Sequence, residues 1–140
     1  MAEIKESVHA PVLLMMLGIF SNSVRKNLIE ILNDAANDGY DRVFARTPVV
    51  TGRLQSSTGS RVDEANFTAE FGWINDPPDY SQYVENGNTR GAPAQQIVST
   101  VGEEIRSEYA SRFDKLSARY SRLAAAGGAG GAAAADGDDE

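Results

Sequence analysis

Carboxylates are the side chains in this sequence best supplied for chemistry, and the densest cluster is Asp136, Asp138, Asp139 and Glu140. A calcium loop needs oxygen ligands at fixed alternating positions closed by a well-placed glutamate. That spacing is missing, so the cluster reads as a solvated tail. Glu103 and Glu104 are neighbours in a helical pattern and point about 100° apart, which suits a solvent-facing pair better than acid and base partners. Asp76 and Asp79 flank Pro77 and Pro78, where acidic side chains serve turns. His9 is the single histidine and cysteine is absent. Multi-histidine metal sites, thiolate zinc sites, disulfides and cysteine nucleophiles are therefore excluded. Gly52, in Thr51-Gly52-Arg53, fits neither the GxGxxG nor the GxxxxGKS/T pattern, so no phosphate cradle is expected there. Arg25, Lys26, Arg42, Arg46 and Arg53 interleave with Glu30, Asp34 and Asp41. They read as a partly solvated helix face, with an anion-binding face as the competing reading. The residues thus predict a protein that is not an enzyme, with no catalytic set, metal or cofactor.

The elements that must position these residues belong to a chain of 140 residues, 41% hydrophobic and 24% charged. Those values fit one globular domain. Against 13 basic residues stand 20 acidic ones, a net charge of -7, so the field of the chain disfavours general DNA binding. The four carboxylates after Ala135 account for the step from -7 to -3, so much of that acidity belongs to the tail. Ala10 to Phe20 is the longest apolar run, but it contains Pro11 and Gly18. It is also far short of the roughly 20 residues a membrane span needs. Its leading segment is net acidic, unlike a secretory signal. Residues 1–21 are therefore expected to pack on the core, and no membrane contact is expected.

Val24, Leu28, Ile31 or Leu32, Ala35 and Val43 recur at three- or four-residue steps, predicting an amphipathic helix from Asn22 to about Arg46. Asn22 and Ser23 are the candidate caps and Pro48 the stop. Gly39 lies inside the pattern, where it should cost about 1 kcal/mol and allow a bend. Phe67, Ala69, Phe71 and Trp73 alternate with Thr68, Glu70, Gly72 and Ile74, the period of a strand. Leu54 to Val62 is its expected antiparallel partner, joined through the turn Asp63 to Asn66. Asn75 to Pro78 breaks the ladder. Tyr80, Tyr83 and Val84 have the spacing of one helical turn, and Gly87 suits its stop; a short helix or a tight turn fits. Ile97, Val101, Ile105, Tyr109, Phe113, Leu116, Tyr120 and Leu123 form an unbroken helical stripe. A helix over these positions runs roughly 40 Å, longer than a small sheet covers, so the stripe is expected to be a subunit interface. The fold class is α+β: a long N-terminal helix, a small antiparallel sheet and a long C-terminal helix. Residues 1–123 form the domain and 124–140 a flexible Gly/Ala-rich acidic tail.

Two short segments carry a resemblance. Pro48-Val49-Val50-Thr51-Gly52-Arg53-Leu54, after a charged amphipathic helix, resembles the P-V-D-T-G-R-L segment of a phage tail-component family named after gene product ten of coliphage HK ninety-seven. Tyr80-Ser81-Gln82-Tyr83-Val84-Glu85-Asn86-Gly87 resembles the Y-x-x-Y-V-E-x-G-T segment of that family. The order is similar too, with Pro93 and a long helix following. Val50 stands where the family has aspartate, and Asn88-Thr89 replaces a direct Gly-Thr. From the residues themselves, Thr51 and Gly52 are expected to form a helix-to-strand corner, Leu54 to return to the core, and Glu85 to meet Arg53.

The resemblance implies a virion structural protein of a long-tailed phage at the head-tail junction. The role is that of a tail-completion, terminator-like or neck component, assembled in the host cytoplasm. It implies partners that are copies of the chain in a ring and other neck and tail proteins, with DNA as passing cargo. The competing reading is an acidic DNA mimic that occupies a host nucleic-acid enzyme, which would need carboxylates spaced like phosphates along a rigid face.

Overall fold

A computed structural model describes residues 3–49, 52–87, 90–91 and 93–134, with side chains through Ser121. The first strand, β1 (Ile4–His9), leads through Pro11 into α1 (Val12–Phe20), and Ser21 separates α1 from α2 (Asn22–Arg46). Then come a four-residue turn of helix α3 (Arg53–Ser56), the hairpin β2 (Thr58–Asp63) and β3 (Thr68–Trp73), the short α4 (Ser81–Asn86) and the long α5 (Ile97–Ala134). The α+β class holds.

The sheet order is β1-β3-β2, with β3 antiparallel to both neighbours. Strand alternation sorts its faces. Ala69, Phe71 and Trp73, with Val8 beside them, face inward and are buried, and Phe67 joins them from just before β3. Lys5, Arg61 and Glu70 occupy the opposite, polar face, where Glu70 meets Arg61 at 2.6 Å and Lys5 at 3.3 Å. Helices α2 and α5 cover the apolar face and pack on each other. Gly39 of α2 lies against the Phe71 ring and Gly102 of α5 against Glu6, so a missing Cβ in each helix permits close approach to the sheet. At the end of α2, the Trp73 indole N–H donates to Thr47 Oγ1 at 3.0 Å, pairing a buried donor that would otherwise be unsatisfied.

Several expectations change on this framework. Within the N-terminal segment expected to pack on the core, Ile4–His9 form a strand and Val12–Phe20 a helix; Val8, Ala10 and Leu14 join the core, while one face of the helix stays exposed. The inward positions of β1 are Ile4, Glu6 and Val8, and Glu6 breaks the apolar alternation because it pairs with Arg106 at 2.6 Å. Ser21, rather than Asn22 or Ser23, caps α2 by accepting from the Val24 N–H. Ser23 instead shares a 2.7 Å hydrogen bond with the Tyr120 hydroxyl. No break interrupts α2 at Gly39. Leu54 lies in the helical turn that Arg53 opens, so the strand begins only at Thr58.

The largest correction concerns the stripe on α5. Ile97, Val101, Ile105, Tyr109, Phe113 and Leu116 are buried within the single chain, and Tyr120 packs against the same core. Leu123 lies beyond the described side chains. The cover that the sheet is too short to supply comes from α2, whose 25 residues run beside α5. The stripe is therefore an internal seam. The α5 backbone continues to Ala134, into the segment whose composition predicts a flexible tail. Alanine, the best helix former, favours that continuation, while Gly127, Gly128, Gly130 and Gly131 oppose it. The carboxylates Asp136 to Glu140 lie outside the described residues.

Candidate functional site

Past the end of α2, Pro48 and Val49 follow the helix, and Gly52 leads into α3 ahead of the sheet. Gly52 has φ +83°, a left-handed conformation that glycine adopts without steric cost, and its carbonyl accepts from Ser56 N at 2.9 Å. A Cβ at Gly52 would meet nothing within 4 Å, so its role is conformational. Leu54 is buried as expected, Arg53 is exposed, and Pro48 is half-buried. Val50 and Thr51 lie outside the described residues. Ser57, just past this corner, accepts through its carbonyl from Ile74 and Asn75, tying the corner to the end of β3.

The Tyr80 to Gly87 segment forms α4 and its stop, with Gly87 at φ +77° donating to the Tyr83 carbonyl at 2.8 Å. Val84 packs on the core, whereas Tyr80 and Tyr83 present much of their rings to solvent. Asn88 and Thr89 lie outside the described residues. Glu85 is buried, and its carboxylate accepts from Val98 N at 2.9 Å and Ser99 N at 2.8 Å. It therefore caps the start of α5, where sequence reasoning directed it to Arg53. Helix α5 has no acidic residue in its own first turn, so this charge from α4 is what meets the backbone donors its first turn leaves without a helical partner. Backbone bonds from Gln95 to Val84 and from Gln96 to Glu85 reinforce the junction.

Several of the remaining charged groups hold elements together. Arg42 forks onto Glu108 at 2.7 and 2.8 Å and reaches Glu104 at 3.1 Å, and Arg46 forks onto Glu104. The Arg46 guanidinium holds the Glu104 carboxyl below the usual range, and Arg42 does the same for Glu108. Of the adjacent pair, Glu104 is thus committed to the α2 seam while Glu103 faces out. His9 Nδ1 lies 3.0 Å from Thr68 Oγ1, and that hydroxyl donates to the Asn66 carbonyl at 3.1 Å. With its proton so placed, the hydroxyl accepts from the imidazole N–H, which orients the ring and activates no nucleophile. Among the described residues, no group of three His, Cys, Asp or Glu side chains is arranged to hold a metal.

Tyr109 donates from the middle of α5 to Asp38 of α2. Burial and then the neighbouring carboxylate push its phenol up to about 12 from an ordinary value of 10.0. The protonated phenol is the form that folding favours, so its contribution is fully present below pH 10 and is lost as pH rises through about 12. In a spectrophotometric titration Asp38→Asn should bring the Tyr109 step to lower pH, and the same variant should lose less stability than wild type across that window. An unchanged Tyr109 step would remove the carboxylate from this account.

The described motif residues thus lie in two places, at the turn around Gly52 after α2 and at the cap around Glu85 after β3. A second surface went unread. Val12, Leu13, Met16, Ile19 and Phe20 of α1 are exposed while Leu14 and Gly18 are buried. The signal was the absence of any polar side chain in the nine residues of α1, because a helix that is apolar all round needs a cover on every side. No described helix is long and apolar enough to cross a membrane.

A family model described as "Bacteriophage HK97-gp10, putative tail-component" matches residues 17–87, just over half of the chain. The match runs from the last turn of α1 to the stop of α4, so it takes in the corner, the hairpin and the cap-bearing helix. No curated protein and no solved structure matches the chain significantly. With both motif segments inside the matched span, this chain belongs to the HK97-gp10-like family of phage tail components.

Proposed function

We propose that this chain is a non-enzymatic structural protein at the head-tail junction of a long-tailed phage, a tail-completion or neck component that works as a ring around the DNA channel. Membership in a tail-component family is the observation that carries the reading, and it brings with it a place in the virion beside other tail proteins. The distribution of charge supports DNA as passing cargo. Arg42, Arg46, Arg61, Arg106 and Arg112 are each ion-paired to a carboxylate of the same chain, which neutralises much of the positive charge a phosphate backbone would seek. Glu3, Glu6, Asp34, Glu70, Glu104 and Glu108 serve ion pairs and Glu85 a helix cap, which supports scaffolding over catalysis. Assembly would take place in the host cytoplasm.

Removing the chain from a phage that encodes it tests the proposal. The expected result is filled heads and separate tails, with infectious titre falling by orders of magnitude and restored by supplying the chain in trans. Infectious, fully joined particles that lack the chain would overturn it.

A further inference from the structure

We infer that the outward face of α1 is where one copy of this chain seats on the next, head to tail, against the apolar residues at the opposite end of the neighbour's sheet. Val12, Leu13, Met16, Ile19 and Phe20 fall at i, i+1, i+4, i+7 and i+8, one stripe along the helix. Phe20 is 87% exposed, Val12 71% and Ile19 66%. Together the five side chains expose on the order of 600 Å², the top of the range for the largest apolar patch of a monomer. A standard interface takes about 800 Å² from each partner, so this face alone supplies most of one side. It carries no charge and no side-chain donor or acceptor strong enough to pair a buried polar group. A charged partner surface would be desolvated there without compensation.

The same chain offers the complement. Among the described residues, its other exposed large apolar side chains are Phe44, Val49, Tyr80 and Tyr83. The Ala10 N–H bonds the Phe67 carbonyl, so α1 departs from the entry end of β3. Thr47 bonds Trp73, and α4 follows Trp73 through the Pro77-Pro78 loop, so the second set lies at the exit end. Two apolar sets at opposite ends of one strand suit a heterologous contact, in which each copy uses one set on each neighbour. Pairing α1 with α1 would stop at a dimer and leave the second set uncovered. Closure of the head-to-tail contact into a ring rests on the function proposed above; the contact itself does not.

Sedimentation velocity on the full chain over a concentration series up to the submillimolar range tests the contact. Wild type should associate with rising concentration. An Ile19→Glu/Phe20→Glu variant and a Val49→Glu/Tyr83→Glu variant, each with a wild-type melting profile, should each associate at least tenfold more weakly. Phe20→Ser and Tyr83→Ser are the milder replacements if a double variant fails to fold. An equimolar mixture of the two variants should regain association but stop at a two-chain species, because each retains one intact set. A mixture that stays monomeric, wild type that stays monomeric throughout, or wild type that binds neutral phosphatidylcholine vesicles without self-association would overturn the inference. An α1 variant built into infectious virions at normal copy number would overturn the contact and leave the tail role standing. Wild type that associates as expected but is absent from virions would overturn the tail role and leave the contact standing.

Discussion

Gly39→Ala should destabilise the protein by about 3 kcal/mol, although the same change in an isolated helix stabilises it by about 1 kcal/mol. The sign reverses because a Cβ at Gly39 would lie 2.3 Å from Cγ of Phe71 and 2.4 Å from Cδ2, against the face of a fully buried ring. Phe71 has little room to retreat. It sits on β3, hydrogen-bonded to β1 on one side and β2 on the other, so yielding means displacing the centre of the sheet or lifting α2 from it. Lifting α2 would also strain the Thr47 to Trp73 bond at the far end of that helix. Urea unfolding of Gly39→Ala, Phe71→Leu and the double variant checks this. The double variant should be more stable than the sum of the single effects predicts, because the smaller, flexible side chain vacates the ring's position. Strict additivity, or a stabilised Gly39→Ala, would mean that the helix and ring are not in contact.

Gly39 also shows what is legible in a sequence and what is not. The helical period across α2 and its stop before Pro48 are local facts, and both can be read. The expectation of a weakened, bent helix at Gly39 weighed only the local cost of glycine; its long-range cause, a ring from a strand 32 residues later, is absent from any local window. The stripe on α5 fails in a similar way. Its period correctly announces a buried face, but a period cannot say what covers that face, and the cover is α2 rather than another subunit. In β1 the signal is masked, because Glu6 occupies an inward position and is neutralised by Arg106, 100 residues away. Helix α1 fails for the opposite reason: with no polar residue there is no phase, so its buried and exposed sides look alike in sequence. The left-handed backbone at Gly52 is the kind of local feature a glycine announces, but the element after it is the helical turn α3 rather than the strand expected there. Glu85 was readable as a carboxylate in a motif and unreadable as a cap, since its donors belong to a helix beyond the next loop.

That cap is the second place where one substitution should matter greatly. Glu85→Ala should cost about 3 kcal/mol, the order expected when charge-assisted bonds to buried backbone donors are lost. Val98 N and Ser99 N, at the second and third positions of α5, would lose their acceptor, and Val98 is fully buried, so water has poor access to replace it. Glu85→Gln keeps the shape and one acceptor oxygen but turns an amide NH2 toward the other donor, so its loss should be intermediate. If Glu85 were only filling space, glutamine would be nearly neutral and alanine would show no local preference. Hydrogen exchange distinguishes the two cases. The alanine variant should lose protection first over Val98 to Val101 and over α4, with the middle of α2 keeping its protection until global unfolding. The consequence for assembly follows from position. Tyr83 lies on the same short helix as Glu85, so a loosened cap frees one of the apolar residues assigned to the neighbouring copy. Glu85→Ala should therefore weaken self-association as well as stability, and Glu85→Gln should weaken both by less. Equal association by all three proteins under conditions where each is folded would separate the cap from the contact.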